Sequence, residues 1–330
     1  MRDILETLLQ WQAAGERIAL ATVIETWGSS PRQPGAKMAL TASGKMCGSV
    51  SGGCVEGAVV EEGLTVLETN TSKLLHFGVA DETAWEVGLA CGGSMEVFVQ
   101  PLDSALLMQV AELFKDNHSF ALVTPLTASG QTRLEPDQAE PASASVIQNY
   151  LAAGKTGRAK LPTENSEVFI EALLPPPMLV VVGGVHVTIA LVSLAKVLGF
   201  YTVVVDPRTA FGTAERFAQA DKLVNEWPDD GLRQIGLTRN TAVAVLTHDP
   251  KLDDPGLLVA LASEAFYVGA LGSKTTQAKR RERLLAAGLT EAQLQRLYGP
   301  IGLDLGGRTP EEIALAILAQ IVAARNGART

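Results

Sequence analysis

Hydrophobic and polar residues follow two different patterns along this chain. In residues 1–102, apolar positions at helical spacing occur from Asp3 to Ala14 and again from Val55 to Leu67. Around them lie runs rich in β-branched residues, separated by Gly, Ser and Pro, which are typical of strands: Ile18–Thr26, Lys37–Thr41, Leu74–Gly78 and Glu96–Val99. This mixture predicts an N-terminal α+β domain over residues 1–102.

Residues 103–177 have a weaker pattern. It predicts a helix over Ala105–Lys115 and a strand over Phe120–Thr124, whereas residues 127–145, rich in Ala, Ser, Pro and Gln, are interpreted as hairpin loops in a polar region that runs to Lys160. We expect this segment to pack on the first domain. It ends at Pro175–Pro177, where three fixed φ angles and three missing amide donors predict a semi-rigid connector.

From residue 178 to residue 330, short apolar strands alternate with helices. Such alternation predicts βαβ units, and hence a Rossmann-like domain whose parallel sheet is covered on both faces. The final helix has an N-terminal signature in Thr309, Pro310 and Glu312. The predicted strands are Leu179–Val182, Thr202–Asp206, Lys222–Val224, Ala242–Thr247 and Phe266–Ala270, and the predicted helices are Val187–Leu198, Thr213–Gln219, Pro255–Ser263 and Pro310–Ala324. The fold class is therefore α/β.

Composition narrows the function classes. The 330 residues include 27 Lys+Arg and 36 Asp+Glu, a net charge of −9, so no sequence-wide basic surface favours nucleic acid. Apolar runs such as Met178–Val182 are far shorter than the ~20 residues of a membrane-spanning helix, and no signal peptide is recognised, so we expect a cytoplasmic protein. Three cysteines cannot all pair within one chain, which favours thiols in a reducing compartment.

Two segments of the first domain combine a thiol with paired glycines. Cys54 follows Gly52 and Gly53 and directly precedes a predicted helix, whose dipole favours a thiolate there. In the second segment, Cys91 precedes Gly92 and Gly93. Two loops rich in backbone amides and thiols predict a site for an anionic, sulfur-rich ligand, although tight turns with buried sulfurs are the alternative. Neither a Cys-x-x-Cys motif nor a His pair is present, so structural zinc is not expected.

The second domain carries a glycine turn after its first strand. Gly183 and Gly184 lie in this turn, and Asp206, 23 residues on (206 − 183), is placed like a ribose-binding carboxylate. Val185 and Thr188 replace the second and third glycines of a dinucleotide fingerprint, which weakens the prediction of NAD binding.

Ligands of parallel sheets bind at the carboxyl ends of the strands. His248 at such an end is either a base or ligand contact, or it fixes the loop by a hydrogen bond. Ser273 and Lys274 form a candidate phosphate cradle, while the basic residues at 279–283 are interpreted as a solvated face. The candidate ligand residues of this domain are Gly183, Gly184, His186, Asp206, His248, Ser273 and Lys274.

Together these motifs resemble the xanthine dehydrogenase accessory protein family of the XdhC/CoxI type. The matching segments are Gly28–Met38, Gly48–Glu56, Gly88–Gly93, Gly183–Val187, Thr247–Asp249, Gly269–Lys274 and Ile301–Ala314. The resemblance implies a maturation factor that binds the molybdenum cofactor, protects it during exchange of an oxo for a sulfido ligand and delivers it to a xanthine dehydrogenase-like apoenzyme. It also implies a cysteine desulfurase-type sulfur donor, a homodimer, and a cofactor-binding role for Cys54 and Cys91.

Molybdopterin carries a dithiolene, a phosphate and hydrogen-bonding pterin edges, which suit amide-rich loops together with the cationic side chains of Arg32 and Lys37. The second domain would then hold a nucleotide or phosphate portion of the cofactor. The main alternative is an NAD(P)-dependent oxidoreductase that uses Asp206, the Gly183 turn and His248 as proton donor. A third hypothesis is a scaffold whose glycine-rich loops bind a partner without chemistry.

Overall fold

The computed structural model describes residues 1–29, 32–78, 93–130, 132–135, 141–162, 167–209 and 211–328. The chain divides into two compact units, Met1–Pro175 and Pro176–Thr330. The division falls inside the proline run, where the chain has few local hydrogen-bond donors. Residues 103–175 belong to the first unit.

The first unit begins with an antiparallel five-stranded sheet in the order β3-β2-β1-β5-β4. The long central strand β1 alternates between two buried faces, because Ala19, Ala21 and Val23 pack in the core beneath helix α2 while Leu20 and Ile24 join other clusters. The elements are α1 (Leu5–Ala13), β1 (Ile18–Trp27), β2 (Lys37–Thr41), β3 (Met46–Gly48), α2 (Glu56–Thr69), β4 (Lys73–Phe77) and β5 (Ser94–Pro101).

A second, four-stranded antiparallel sheet with the order β7-β6-β9-β8 completes this unit. Of the predicted hairpin loops over residues 127–145, the turn at 127–130 joins the antiparallel strands β6 and β7 as expected, but the prediction was wrong from Pro141, where helix α4 begins. Ile147 is fully buried in a cluster with Ala121 and Ile170, so tertiary packing selects a helix that the polar composition does not favour. The elements are α3 (Ser104–Lys115), β6 (Phe120–Pro125), β7 (Arg133–Glu135), α4 (Pro141–Ala153), β8 (Thr156–Lys160) and β9 (Glu167–Leu173).

The second unit confirms the predicted Rossmann-like architecture. Its six parallel strands have the order β12-β11-β10-β13-β14-β15, so the order reverses between β10 and β13. Val180 and Leu179 lie in different hydrophobic clusters, which shows that both faces of the sheet are covered. The elements are β10 (Met178–Val182), α5 (His186–Val197), β11 (Tyr201–Val205), β12 (Lys222–Val224), α6 (Pro228–Ile235), β13 (Thr241–Val245), α7 (Pro250–Ala262), β14 (Tyr267–Ala270), α8 (Lys274–Ala286), α9 (Glu291–Leu294), β15 (Leu297–Tyr298) and α10 (Pro310–Arg325).

Local signals located both ends of α5 and α10 to within one residue, whereas α6 and α9 were not predicted and α7 begins five residues before its predicted start at Pro255. The capping box at α10 is confirmed, since Thr309 Oγ1 accepts a bond from the amide of Glu312 at 3.3 Å and the Glu312 carboxylate accepts one from the amide of Thr309 at 3.0 Å. The helix predicted over Thr213–Gln219 is instead a series of turns held by one α-type bond, from the amide of Phe217 to the carbonyl oxygen of Thr213. Within the described residues, no helix has the length and apolar character needed to cross a membrane.

Candidate functional site

Two glycine-rich segments of the first unit meet at one edge of the five-stranded sheet. The Arg32 Nε donates to the carbonyl oxygen of Ser49 at 3.2 Å, and the amide of Ser49 donates to the carbonyl oxygen of Lys37 at 2.9 Å. Gly93 lies against the same region, because a methyl group in its place would be 2.5 Å from the carbonyl oxygen of Ser29. We call residues 27–29, 32–36, 48–56 and 93 the cysteine-bearing edge.

Cys54 is exposed at this edge, just before α2 begins. The backbone around it is organised by the carboxylate of Glu56. Its Oε1 accepts bonds from the amides of Ser51 and Gly52 at 2.9 and 3.0 Å, and its Oε2 accepts one from the amide of Gly53 at 2.8 Å. These amides, which the sequence predicts to face a ligand, are bonded to an internal anion in the structure. The loop presents the thiol to solvent instead.

Serine hydroxyls complete the environment of Glu56. The Ser49 Oγ donates to Oε1 at 2.7 Å and the Ser51 Oγ donates to Oε2 at 2.5 Å, while the Ser51 Oγ in turn accepts from the amide of Cys54 at 3.0 Å. Burial alone would raise the pKa of Glu56, but hydrogen bonds from Ser51, Ser49 and Gly52 hold it well below its ordinary value. Glu56 is therefore an anion at neutral pH, and its hydrogen bonds fix the loop from Ser51 to Cys54.

Lys37, predicted to contact a ligand at this edge, is buried and pairs with Glu171. Its side chain is 2% exposed and its Nζ lies 2.9 Å from the carboxylate of Glu171 and 2.9 Å from the Oγ1 of Thr22. The ammonium of Lys37 is thus bonded to Glu171 and Thr22 inside the unit.

Of the other two cysteines, Cys47 lies in strand β3 and Cys91 lies outside the described residues. Cys47 is half-buried in β3 beside the cluster around Ile4 and Leu8, and burial raises the pKa of its thiol. It is a packing residue, as its strand-like surroundings predict. Cys91 and Gly92 lie outside the described residues, so their proposed role rests on the sequence motif alone.

In the second unit, the predicted ribose carboxylate is turned inward. The Asp206 Oδ2 accepts a bond from the amide of Gly184 at 2.7 Å, and Arg208 donates to both oxygens through Nε at 2.9 Å and Nη2 at 2.7 Å. Burial opposes ionisation, but the bonds from Arg208 and Gly184 lower the pKa of Asp206. Asp206 is an internal anion of the glycine turn, held by a bidentate arginine.

This arrangement does not fit a dinucleotide. A pyrophosphate needs free turn amides and close backbone approach, but the amide of Gly184 is taken by Asp206. A methyl group at Gly184 would lie 2.5 Å from the carbonyl oxygen of Phe211, which shows how closely the loop after β11 covers the turn. Thr188, at the third glycine position, is buried and donates to the carbonyl oxygen of Gly183 at 2.5 Å.

The remaining candidates lie at the carboxyl ends of the strands. His186 is exposed at the first position of α5, and Lys274 is exposed at the start of α8. The Ser273 Oγ accepts a bond from the amide of Thr276 at 3.2 Å and so caps α8, which gives this side chain a structural task. His248 is exposed, with the left-handed φ of 65° that non-glycine residues rarely adopt.

A buried network supports the loop that carries His248. The Thr247 Oγ1 donates to Asp253 at 2.5 Å, and Asp253 forms a 2.7 Å ion pair with the Nη2 of Arg280. The Arg280 Nη1 also donates to the carbonyl oxygen of Leu271 at 3.1 Å, which joins the loops after β13 and β14. Burial raises the pKa of Asp253, against the bonds from Thr247 and Arg280. Arg280 is 1% exposed, so the interpretation of the 279–283 run as a solvated face was wrong at this position.

Sequence reasoning missed the residues that hold these sites together. Glu56 had a usable signal, because an acidic residue at the first position of a helix commonly bonds preceding amides. Arg208 follows Asp206 by two residues, a spacing that suits a local ion pair. For Arg280 the local sequence gave no signal, since its neighbours are equally basic and are not buried.

The fold and these motifs define a protein with a cysteine-bearing α+β unit followed by a Rossmann unit whose nucleotide turn is filled internally. The model of the XdhC and CoxI family matches residues 11–78, and the XdhC Rossmann domain matches residues 179–321. The chain belongs to the XdhC/CoxI family.

Similar proteins extend over nearly the whole chain. A protein of Bacillus subtilis described as a probable xanthine dehydrogenase subunit is 28% identical over 98% of this chain and 96% of its own length. The molybdenum cofactor insertion chaperone PaoD of Escherichia coli is 25% identical over 98% of this chain and 88% of its own length. A crystal structure described as a xanthine dehydrogenase from Bacillus halodurans has a TM-score of 0.77 and 27% identity, covering 99% of this chain and 96% of that one.

Proposed function

We propose that this protein is a maturation factor that binds the molybdenum cofactor at the cysteine-bearing edge and transfers it to a molybdoenzyme. The similarity to a molybdenum cofactor insertion chaperone and to a probable xanthine dehydrogenase subunit supports a role in cofactor maturation. The finer steps, namely protection during sulfuration and delivery to a xanthine dehydrogenase-like apoenzyme, are part of the proposal.

The observation that carries the proposal is the exposed thiol of Cys54 on a loop fixed by Glu56. A thiolate is a soft ligand that suits a sulfur-coordinated metal, and a loop ordered in advance loses little entropy when it binds. Arg32 lies beside this loop through its bond to Ser49, and its guanidinium suits a phosphate. When bound, the cofactor supplies the molybdenum and its dithiolene.

Each residue of the edge then has a definite task. Cys54 holds the cofactor, Arg32 orients its phosphate, and Glu56 keeps Gly52 and Gly53 in the conformation that displays the thiol. By the sequence motif, we propose that Cys91 contributes a second thiol beside Gly92 and Gly93. We further propose a cysteine desulfurase-type sulfur donor, a homodimer and a cytoplasmic location.

The oxidoreductase hypothesis requires a nicotinamide nucleotide in the second unit. The inward Asp206, the occupied amide of Gly184 and the close approach of Phe211 all disfavour it. We therefore expect neither NAD(H) nor NADP(H) to raise the Tm of the protein, even at millimolar concentrations. A saturable rise in Tm with either nucleotide would revive that hypothesis.

The direct test compares two cysteine variants of the full chain. Purified wild type, Cys54→Ser and Cys47→Ser are incubated with released molybdenum cofactor and separated from free cofactor by gel filtration. We expect Cys47→Ser to retain as much molybdenum and pterin as wild type, because Cys47 is a packing residue. We expect Cys54→Ser to retain at least about tenfold less, equivalent to roughly 1.4 kcal/mol of binding free energy. Equal retention by all three proteins would refute the role of Cys54.

A further inference from the structure

Helices α5 and α10 of the second unit pack on each other and on one face of the parallel sheet. Their starts adjoin, because His186 at the start of α5 and Glu311 at the start of α10 line the same groove. Their ends adjoin as well, because the guanidinium of Arg325 lies 5.3 Å from the ring centroid of Phe200, three residues after α5 ends. The two helices therefore run side by side in the same direction.

The outward side of these two helices lacks the charges that a surface helix normally carries. Lys196 is the one charged residue of α5, and its Nζ is paired with Asp221 at 2.6 Å. In α10, no charged residue lies between Glu312 and Arg325. Helix α8, on the opposite face of the sheet, is charged along most of its length. A helix that is apolar all round is buried in globular proteins, so this composition predicts that something covers α5 and α10.

Apolar side chains are nevertheless open on this side of the unit. Val197 is 83% exposed, Leu315 is 52% exposed and Leu198 is 48% exposed. A groove of about 340 Å³ follows α5 along Ile189 and Leu194. Contiguous apolar surface of this kind marks an interaction site. We call the outward residues of α5 and α10 the α5–α10 face.

We propose that the α5–α10 face pairs with the same face of a second copy of this chain. The charges at its ends fit that occupant, since Glu311 is exposed at one end and Arg325 at the other. No ion pair to either side chain occurs among the residues that the structure describes. A two-fold axis that lies in the interface and crosses the helices at right angles makes the paired helices antiparallel, so each Glu311 faces Arg325 of the other copy. An axis parallel to the helices would instead bring like ends together.

The apolar positions of α10 agree with this direction. Pairing Glu311 with Arg325 of the other copy also brings Leu315 opposite Val322, because these residues lie four and three positions inside the two ends. All four residues share one side of the helix at this spacing. Val322 is only half-buried, so it has surface left to cover. An apolar centre with charged groups at its rim is the usual composition of a protein interface.

This pairing rests on the homodimer of the proposed function and gives it an interface. It does not require the cofactor, because Cys54 lies in the first unit and the α5–α10 face lies in the second. Association and cofactor retention are therefore measured separately.

Sedimentation equilibrium of the full chain tests the pairing, and Tm measurements check that each variant folds. We expect the wild type to be dimeric at micromolar concentrations. Val197→Lys should raise the dissociation constant at least about tenfold, because the symmetry buries the unpaired ammonium twice. The matched control is Met108→Lys, at a 49% exposed position on α3, which should leave the dissociation constant unchanged. Wild-type protein that stays monomeric would overturn the pairing and the homodimer, whereas the role of Cys54 is decided by cofactor retention in gel filtration.

A charge exchange tests the direction of the pairing. Glu311→Lys and Arg325→Glu should each weaken the dimer about tenfold, because each places like charges opposite one another. The double variant carries the pair in reversed order and should dimerise within about twofold of wild type. A double variant as weak as the single variants would contradict the antiparallel pairing. A wild-type dimer that none of these substitutions weakens would use another interface, which would overturn the pairing of the α5–α10 face and leave the homodimer intact.

Discussion

Replacing Glu56 by Gln tests whether this carboxylate orders the loop of Cys54. The carboxylate accepts bonds at Oε1 from Ser49 Oγ and the amides of Ser51 and Gly52, and at Oε2 from Ser51 Oγ and the amide of Gly53. A glutamine keeps one acceptor oxygen but turns an NH₂ group toward the other donors. Bonds to charged acceptors contribute about 1.5–3 kcal/mol each and are not additive, so we expect the free energy of opening this loop to fall by about 2 kcal/mol.

Amide hydrogen exchange measures that opening directly. A fall of about 2 kcal/mol corresponds to roughly 30-fold faster exchange at the amides of Gly52 and Gly53 in Glu56→Gln. The control is Glu61→Gln, an exposed position on the same helix, which should leave exchange at both glycines unchanged. Exchange in Glu56→Gln at the wild-type rate would show that the loop is ordered without the carboxylate.

Three other predictions concern the same interactions. Hydrogen bonds hold the pKa of Glu56 below its ordinary value of 4.5, so the ionised carboxylate stabilises the fold above that pH, and this stability is lost as the pH falls further. The difference in unfolding free energy between wild type and Glu56→Gln should therefore shrink below pH 4.5, as measured by denaturation at a series of acid pH values. Arg280→Met leaves the buried carboxylate of Asp253 without its cation, so chemical denaturation should show a loss of about 3–5 kcal/mol, partly recovered by adding Asp253→Asn; an unchanged midpoint would contradict the pairing. Gly184→Ala brings a methyl group against the carbonyl oxygen of Phe211 and should cost about 1–3 kcal/mol by the same assay, unlike Gly57→Ala, whose methyl group meets nothing within 4 Å; equal stability of these two variants would contradict the close approach.

Local signals in the sequence predicted most of the fold. β-branched runs mark β1 and the parallel strands, and Thr309 with Glu312 marks the start of α10, because such patterns act within a few residues. The sequence prediction was wrong for the segment around α4. Its composition is polar and small, and the burial of Ile147 against strands distant in sequence decides its conformation.

The sequence motifs predicted where Cys54 lies in the fold, but not how the groups around it are bonded. The predicted start of α2 placed Cys54 at a helix end, where the structure shows it exposed. The motif does not show which donors are available to a ligand, because that depends on the positions of side chains. In the structure, the carboxylate of Glu56 accepts bonds from the amides of the loop. The partner of Lys37 is Glu171, 134 residues away, so no local pattern reveals that this ammonium is buried. The glycine turn likewise has the sequence position of a nucleotide site, but its Gly184 amide donates to the carboxylate of Asp206.

The proposed function requires that the chain carries the molybdenum cofactor. It is tested most directly by identifying what co-purifies with the full chain from a cell that makes the cofactor, using metal analysis and pterin fluorescence on the same gel-filtration fractions. We expect molybdenum and pterin to elute together with wild type and to be depleted together in Cys54→Ser. Wild-type protein that carries neither, or that carries a nicotinamide nucleotide instead, would contradict it.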